Sequence, residues 1–205
     1  MNKIVLTLVV LLGLSTACYA AEDITGRIDT DILVGGSFPT SSDADNAILV
    51  QGRVNYAMSP QWSTGVSLGW TDPRVRGKNT VGTKIEAGDE TLVPLMAEVI
   101  YHVPTGDYPV HPYLNLALGC MMVNHGGNND LTANRIEVQD HDGYAFKVAG
   151  GVDWFINENW AYTFEIGYML TGAHVRLINS ANNLETDNLD LDYWYVALGL
   201  RYRFD

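Results

Sequence analysis

The stretch Trp194-Tyr195-Val196-Ala197-Leu198-Gly199-Leu200-Arg201-Tyr202-Arg203-Phe204 decides the fold. Side chains of a strand alternate between two faces. Trp194, Val196, Leu198, Leu200, Tyr202 and Phe204 therefore share one face, and Tyr195, Ala197, Gly199, Arg201 and Arg203 share the other. The first face is apolar with aromatic residues at both ends. The second is small or cationic. A half-buried strand of a soluble protein alternates too, but it seldom carries arginines behind a face closed by aromatics. Lipid on one side and a polar lumen on the other require this pattern, with the aromatics at the two membrane interfaces.

Seven earlier segments repeat it. Ile24 to Phe38 sets Ile24, Ile28, Ile32, Val34 and Phe38 against Arg27, Asp29 and Asp31. Ala47 to Met58 sets Ile48, Val50, Val54 and Tyr56 against Gln51, Arg53 and Asn55. Trp62 to Thr71 alternates apolar residues with Ser63, Gly65, Ser67 and Gly69. Leu92 to Val103 sets Val93, Leu95, Val99 and Tyr101 against Glu98 and His102. Tyr113 to Val123 sets Leu114, Leu116, Leu118 and Met122 against Asn115, Ala117 and Gly119. Tyr144 to Ile156 sets an apolar face against Lys147 and Asp153, and Trp160 to Thr171 sets one against Glu165 and Gly167. Each is near the length that a tilted strand needs to cross a bilayer.

The links alternate in length. Met58 to Trp62 and Ile156 to Trp160 are tight turns, and Pro104 to Pro112 is a longer link with three prolines. Between them lie polar stretches, Pro39 to Asn46, Asp72 to Glu90, His125 to Gly143 and Gly172 to Asp192, read as loops. Short turns facing the periplasm and long segments facing outward are the polarity of a bacterial outer-membrane barrel. The expected fold is therefore all-β, an eight-stranded antiparallel up-and-down transmembrane β-barrel. Closure leaves no unpaired edge in lipid.

The N-terminus sets the compartment. Lys3, an apolar run from Ile4 to Leu14, and Ser15-Thr16-Ala17-Cys18-Tyr19-Ala20 form a secretory signal over residues 1–20, with the barrel domain over 21–205. A lipoprotein signal acylated at Cys18 is the alternative, but Ser15 stands where such signals carry an aliphatic residue. The net charge of −12 becomes −13 once Lys3 is removed, which argues against nucleic acid as a partner. Cys120 is then the one cysteine left, so no internal disulfide forms.

The same parity places Arg27, Arg53, Lys147, Arg201 and Arg203 in the lumen with Asp29, Asp31, Glu98, Asp153 and Glu165. An eight-stranded barrel has an interior that side chains fill. Paired charges are tolerable there and unpaired ones are not. These ten residues are expected to form a charge network that replaces an apolar core. An ion path or gate is the alternative.

The whole mature chain resembles the small eight-stranded outer-membrane barrels: the transmembrane domain of outer-membrane protein A, the opacity-type proteins, and outer-membrane protein W. Pro94 to Tyr101 and Gly199 to Phe204 carry the likeness most closely. It implies that Gly199, Tyr202 and Phe204 belong to the C-terminal signal read by the barrel-assembly machinery, with Asp205 a departure from its usual aromatic end. It also implies the outer membrane as location, and outer-membrane lipids and lipopolysaccharide as surroundings; the chain is expected to be a monomer. The expected role is structural or interactive, exercised through extracellular loops. A narrow channel for small hydrophobic or ionic solutes is one alternative, and a lipid A-modifying enzyme another.

Chemical motifs are scarce. Asp140-His141-Asp142 with His125 and Asp130 offers ligands suited to a divalent cation, but Gly126-Gly127-Asn128-Asn129 beside it reads as a solvated loop. Lipid A deacylases carry a close His-x-Ser-Asn motif. Here His174 is followed by Val175-Arg176-Leu177, and Ser180 comes later. No catalytic, metal or cofactor residue is assigned. Arg74, Arg76, Lys78 and Lys84 make one outer segment basic enough to meet lipopolysaccharide phosphates.

Overall fold

The computed structural model describes residues 24–78, 84–105, 108–126, 136–179 and 184–204, and only the backbone at 76–78, 84–89, 125–126, 136–141, 174–179 and 184–190. The expected signal peptide lies outside the described residues. Twelve strands follow in order: β1 (Ile28–Pro39), β2 (Ala47–Ala57), β3 (Trp62–Thr71), β4 (Arg74–Lys78), β5 (Lys84–His102), β6 (Val110–Gly126), β7 (Ile136–His141), β8 (Gly143–Phe155), β9 (Trp160–Thr171), β10 (His174–Asn179), β11 (Leu184–Asp190) and β12 (Tyr193–Phe204).

Eight of them close a barrel. The antiparallel order β3-β2-β1-β12-β9-β8-β6-β5 returns on itself through pairing of β3 with β5. The first and last strands make the closing seam, from Ile28↔Phe204 to Pro39↔Tyr193. Two turns at the periplasmic end are tight. Met58 N–H donates to the Trp62 carbonyl at 2.9 Å, and Ile156 N–H donates to the Trp160 carbonyl at 2.8 Å. Asn157 Oδ1 accepts from Trp160 N–H at 2.8 Å and fixes the second of them.

Parity holds around the wall. Ile32, Ile48, Leu118 and Leu198 stand 63–65% exposed to the outside, while Arg53, Lys147 and Arg201 are buried within. Aromatic pairs mark the interfaces. Trp62 meets Tyr101 at 4.9 Å and Trp160 meets Tyr202 at 4.8 Å at the turn end, and Tyr168 meets Trp194 at 4.8 Å at the other. A charge on this wall is costly, and no exposed outward position of the eight barrel strands among the described residues carries one.

Two expectations are corrected. Ile24 is buried at the mouth and does not face lipid. The chain enters β1 only at Ile28, after a turn in which Arg27 N–H donates to the Ile24 carbonyl at 3.1 Å. The long outer segments, read as loops, contain strands. β4 pairs with the outer part of β5, and β7, β10 and β11 form a separate three-stranded sheet. Shortness hid them: β4, β7, β10 and β11 are five to seven residues long, too short for an alternation to stand out in a polar stretch.

Candidate functional site

The lumen divides into two layers. The layer toward the turns is charged. Asp31 on β1 sits between two guanidinium groups. Arg53 Nε on β2 donates to Asp31 Oδ2 at 2.7 Å, and Arg201 Nε and Nη2 on β12 donate to Asp31 Oδ1 and Oδ2 at 2.7 and 3.0 Å. Arg53 Nη1 also donates to Glu165 on β9, and Arg201 Nη1 to Asp153 on β8. Glu165 accepts from the Tyr113 hydroxyl at 2.8 Å and the Tyr195 hydroxyl at 2.7 Å. Thr163 donates to Asp153 at 2.8 Å. Nearer the mouth, Arg203 donates to Asp29 at 3.0 Å and lies 4.4 Å from the Phe155 ring centroid.

A second knot centres on Glu98 of β5. Lys147 Nζ donates to its Oε1 at 2.5 Å, Gln51 to the same oxygen at 3.3 Å, and Asn115 to Oε2 at 3.1 Å. Lys147 enters from high on β8, and its long stem reaches down to the carboxylate. Every charge in both knots is therefore met by an opposite charge and by hydrogen bonds, the condition for keeping ions out of water. Strand β3 makes room for these long side chains. Its inward positions are Ser63, Gly65, Ser67, Gly69 and Thr71.

Nine of the ten charges expected in the lumen are buried there; Arg27 is the exception, half-buried in the turn before β1. Tyr113 and Tyr195 belong to the network and escaped the sequence reading, because inward parity does not separate a filler from a hydrogen-bond donor. Among the described residues the buried set therefore holds four cations, Arg53, Lys147, Arg201 and Arg203, against six anions, the five expected ones and Glu90 in the outer part of β5.

The outward layer is mainly apolar, with Ser37, Thr71, Thr171 and Glu90 as its buried polar members. Leu33, Leu49, Leu92, Met96, Met121, Met169, Tyr193 and small alanines fill it as one buried cluster, roofed by Val75, Ala173 and Leu191. Parity put these residues inside, but nothing in parity distinguishes an apolar residue turned inward from one that fills a gap. Three of the cluster are methionines, whose unbranched side chains adapt to irregular shapes.

Beside this layer the wall has a break. Strands β3 and β5 pair from Trp62↔Tyr101 to Leu68↔Leu95, miss the pairings at Gly69 and Trp70, and resume in the same register at Thr71↔Leu92. Pro94 stands at the gap and has no N–H to give. Its other neighbour is undisturbed, with Pro94↔Met121 in the β5–β6 ladder. Gly69 faces the ring so closely that an added Cβ would lie 2.8 Å from Pro94 Cγ. Proline in a central strand is normally excluded, and it marks a place where pairing is given up.

Gly199 lies on the closing seam, where an added Cβ would come within 2.1 Å of the Ile32 carbonyl oxygen. Tyr202 and Phe204 stack edge to face at 4.6 Å at the periplasmic interface. Cys120 is exposed on the lipid wall. Asp142 is described, accepting from Val123 N–H at 2.9 Å, and Arg74 is exposed. Asp130 and Ser180 lie outside the described residues, as do the side chains of His125, Asp140, His141, His174, Arg76, Lys78 and Lys84.

An eight-stranded barrel with lipid-facing girdles and a charged interior defines the class: a small outer-membrane barrel protein. The family described as "Outer membrane protein beta-barrel domain" matches residues 6–205, and the chain belongs to it. Its location is the outer membrane. No curated protein matches the sequence. Among solved structures, the outer membrane protein OprG from Pseudomonas aeruginosa is similar, at 14% identity over 88% of this chain and 96% of that chain, with a TM-score of 0.75. Neisserial surface protein A follows at 15% identity over 87% and 96%, with a TM-score of 0.56. The N-terminal beta-barrel domain of Pseudomonas aeruginosa OprF stands at 13% over 88% and 98%, with a TM-score of 0.50. At such identities the likeness is one of fold.

Proposed function

We propose that the protein admits small apolar solutes into the outer half of its lumen and releases them sideways, through the β3–β5 seam, into the hydrocarbon of the membrane. One juxtaposition carries the reading: an apolar, methionine-rich lumen layer lies beside a wall whose ladder is interrupted at Pro94 and sits above a charged layer that fills the barrel. A solute entering from outside meets apolar side chains that repack around it. Going further toward the periplasm means separating buried ion pairs, each costly to break. Going sideways means passing where backbone pairing is already absent. No covalent chemistry is involved, and the protein acts as a monomer, assembled through its C-terminal strand.

The expected structural or interactive role is kept as a second reading. The observation that favours it is the sheet β7-β10-β11, which extends the chain beyond the barrel wall on the outer side. Such a surface suits contact with lipopolysaccharide or a neighbouring molecule.

Two measurements on full-length protein separate the readings. Cells displaying it should take up radiolabelled octane faster than cells carrying an empty vector, while purified protein in planar bilayers passes no steady ionic current. Uptake equal to the empty vector leaves only the interactive role. A steady current comparable to that of a general porin contradicts both, since an aqueous channel needs many more strands.

A further inference from the structure

Three tyrosines point by parity into the lumen beside or within its apolar layer. The hydroxyls of Tyr113 and Tyr195 both donate to Glu165. The third, Tyr193, belongs to the apolar cluster, is 1% exposed, and its hydroxyl has no hydrogen-bond partner among the described residues. It stands at the outer end of β12, in register with Pro39 on β1 and Met169 on β9. A buried phenol nearly always finds a partner, because an unmet donor in apolar surroundings is costly. Phenylalanine would fill the same space without that cost. The hydroxyl is therefore best explained by a partner that comes and goes.

We propose that Tyr193 is the specificity residue of the outer lumen layer, donating one hydrogen bond to the acceptor oxygen of an otherwise apolar solute. The ligand class is a small hydrocarbon body carrying one carbonyl or similar acceptor. The surroundings suit one such group: Leu33, Leu49, Met96, Met121 and Met169 offer no donor, and the nearby hydroxyls of Ser37, Thr71 and Thr171 are already engaged with one another or with backbone carbonyls. The charged layer, whose donors are committed to carboxylates, lies toward the turns. This inference rests on the reading that the outer layer admits solutes, and it adds which solutes are preferred.

The test compares octanone with octane, which share chain length and differ by one acceptor. Uptake of each is measured in cells displaying wild-type protein, Tyr193→Phe or Tyr193→Leu, with folding checked by the gel mobility of unboiled samples. Loss of one neutral hydrogen bond is worth about three- to tenfold. The ratio of octanone to octane uptake should fall by that factor in Tyr193→Phe, through slower octanone with octane unchanged or faster. Tyr193→Leu, which also lacks the hydroxyl, should show the same fall and serves if the Phe variant does not fold. An unchanged ratio, with octane uptake still above empty vector, overturns the role of Tyr193 and leaves the uptake reading standing. Wild-type uptake of neither compound above empty vector overturns the uptake reading and this inference with it.

Discussion

Glu98 and Lys147 show what a single side chain contributes in this lumen. Removing one partner of a buried pair leaves the other charge uncompensated, which costs about 3–5 kcal/mol. Glu98→Ala is therefore expected to lower the unfolding free energy of protein folded in lipid vesicles by that order, read as a lower urea midpoint. The Glu98→Ala, Lys147→Met double variant should recover most of the loss. If the double variant is as unstable as the single one, Lys147 is not the group that Glu98 compensates. The residues of this layer were legible in the sequence because charge at inward parity is conspicuous. Their pairing was not: Arg53 and Asp31 are 22 positions apart, and Arg201 and Asp31 are 170 apart. The register of the β1–β2 hairpin sets Asp31 opposite Arg53, and closure of the barrel sets it opposite Arg201. Tyr193 was equally hidden, since its significance is a missing partner.

Among the elements, β12 and β5 carry opposite lessons. Strand β12 is written plainly in its alternation, and its parity predicts a sharp contrast. Leu198→Arg places a charge on a lipid-facing position that is 65% exposed, at a cost on the order of 2–4 kcal/mol near the midplane. Ala197→Ser adds one hydroxyl inside. Yields of heat-modifiable protein in outer membranes should drop for the first and hold for the second; equal yields contradict the assigned faces. Strand β5 alternates just as plainly, yet its pairing with β3 fails at Pro94, a residue whose apolar side chain conceals its missing donor. The break is tied to Gly69. Gly69→Val forces its Cβ against the proline ring and should destabilise the barrel by about 1–3 kcal/mol. Pro94→Ala should relieve much of that penalty, so the two substitutions will not add. Additive losses in urea unfolding would place the crowding elsewhere.

For the molecule as a whole, the eight-stranded closure was the most legible property. Lipid on one side of each barrel strand imposes period two on all eight, and turns and long outer segments fix the direction. What lies beyond the membrane was least legible, because strands of five to seven residues set in polar stretches give little alternation to read. The division of the lumen into a charged layer and an apolar layer fell between these limits. Closure itself predicts that unboiled protein migrates faster than boiled protein, since its backbone groups are paired internally and resist detergent; equal mobility would contradict a closed barrel. The central claim is lateral release at the β3–β5 seam, and the most direct measurement is octane uptake by cells carrying wild-type or Pro94→Ala protein at equal folded amounts. Alanine supplies the N–H that proline lacks, so the ladder can close opposite Gly69. Uptake should then fall several-fold toward the empty-vector rate, whereas undiminished uptake in folded Pro94→Ala protein would show that solutes do not leave through this seam.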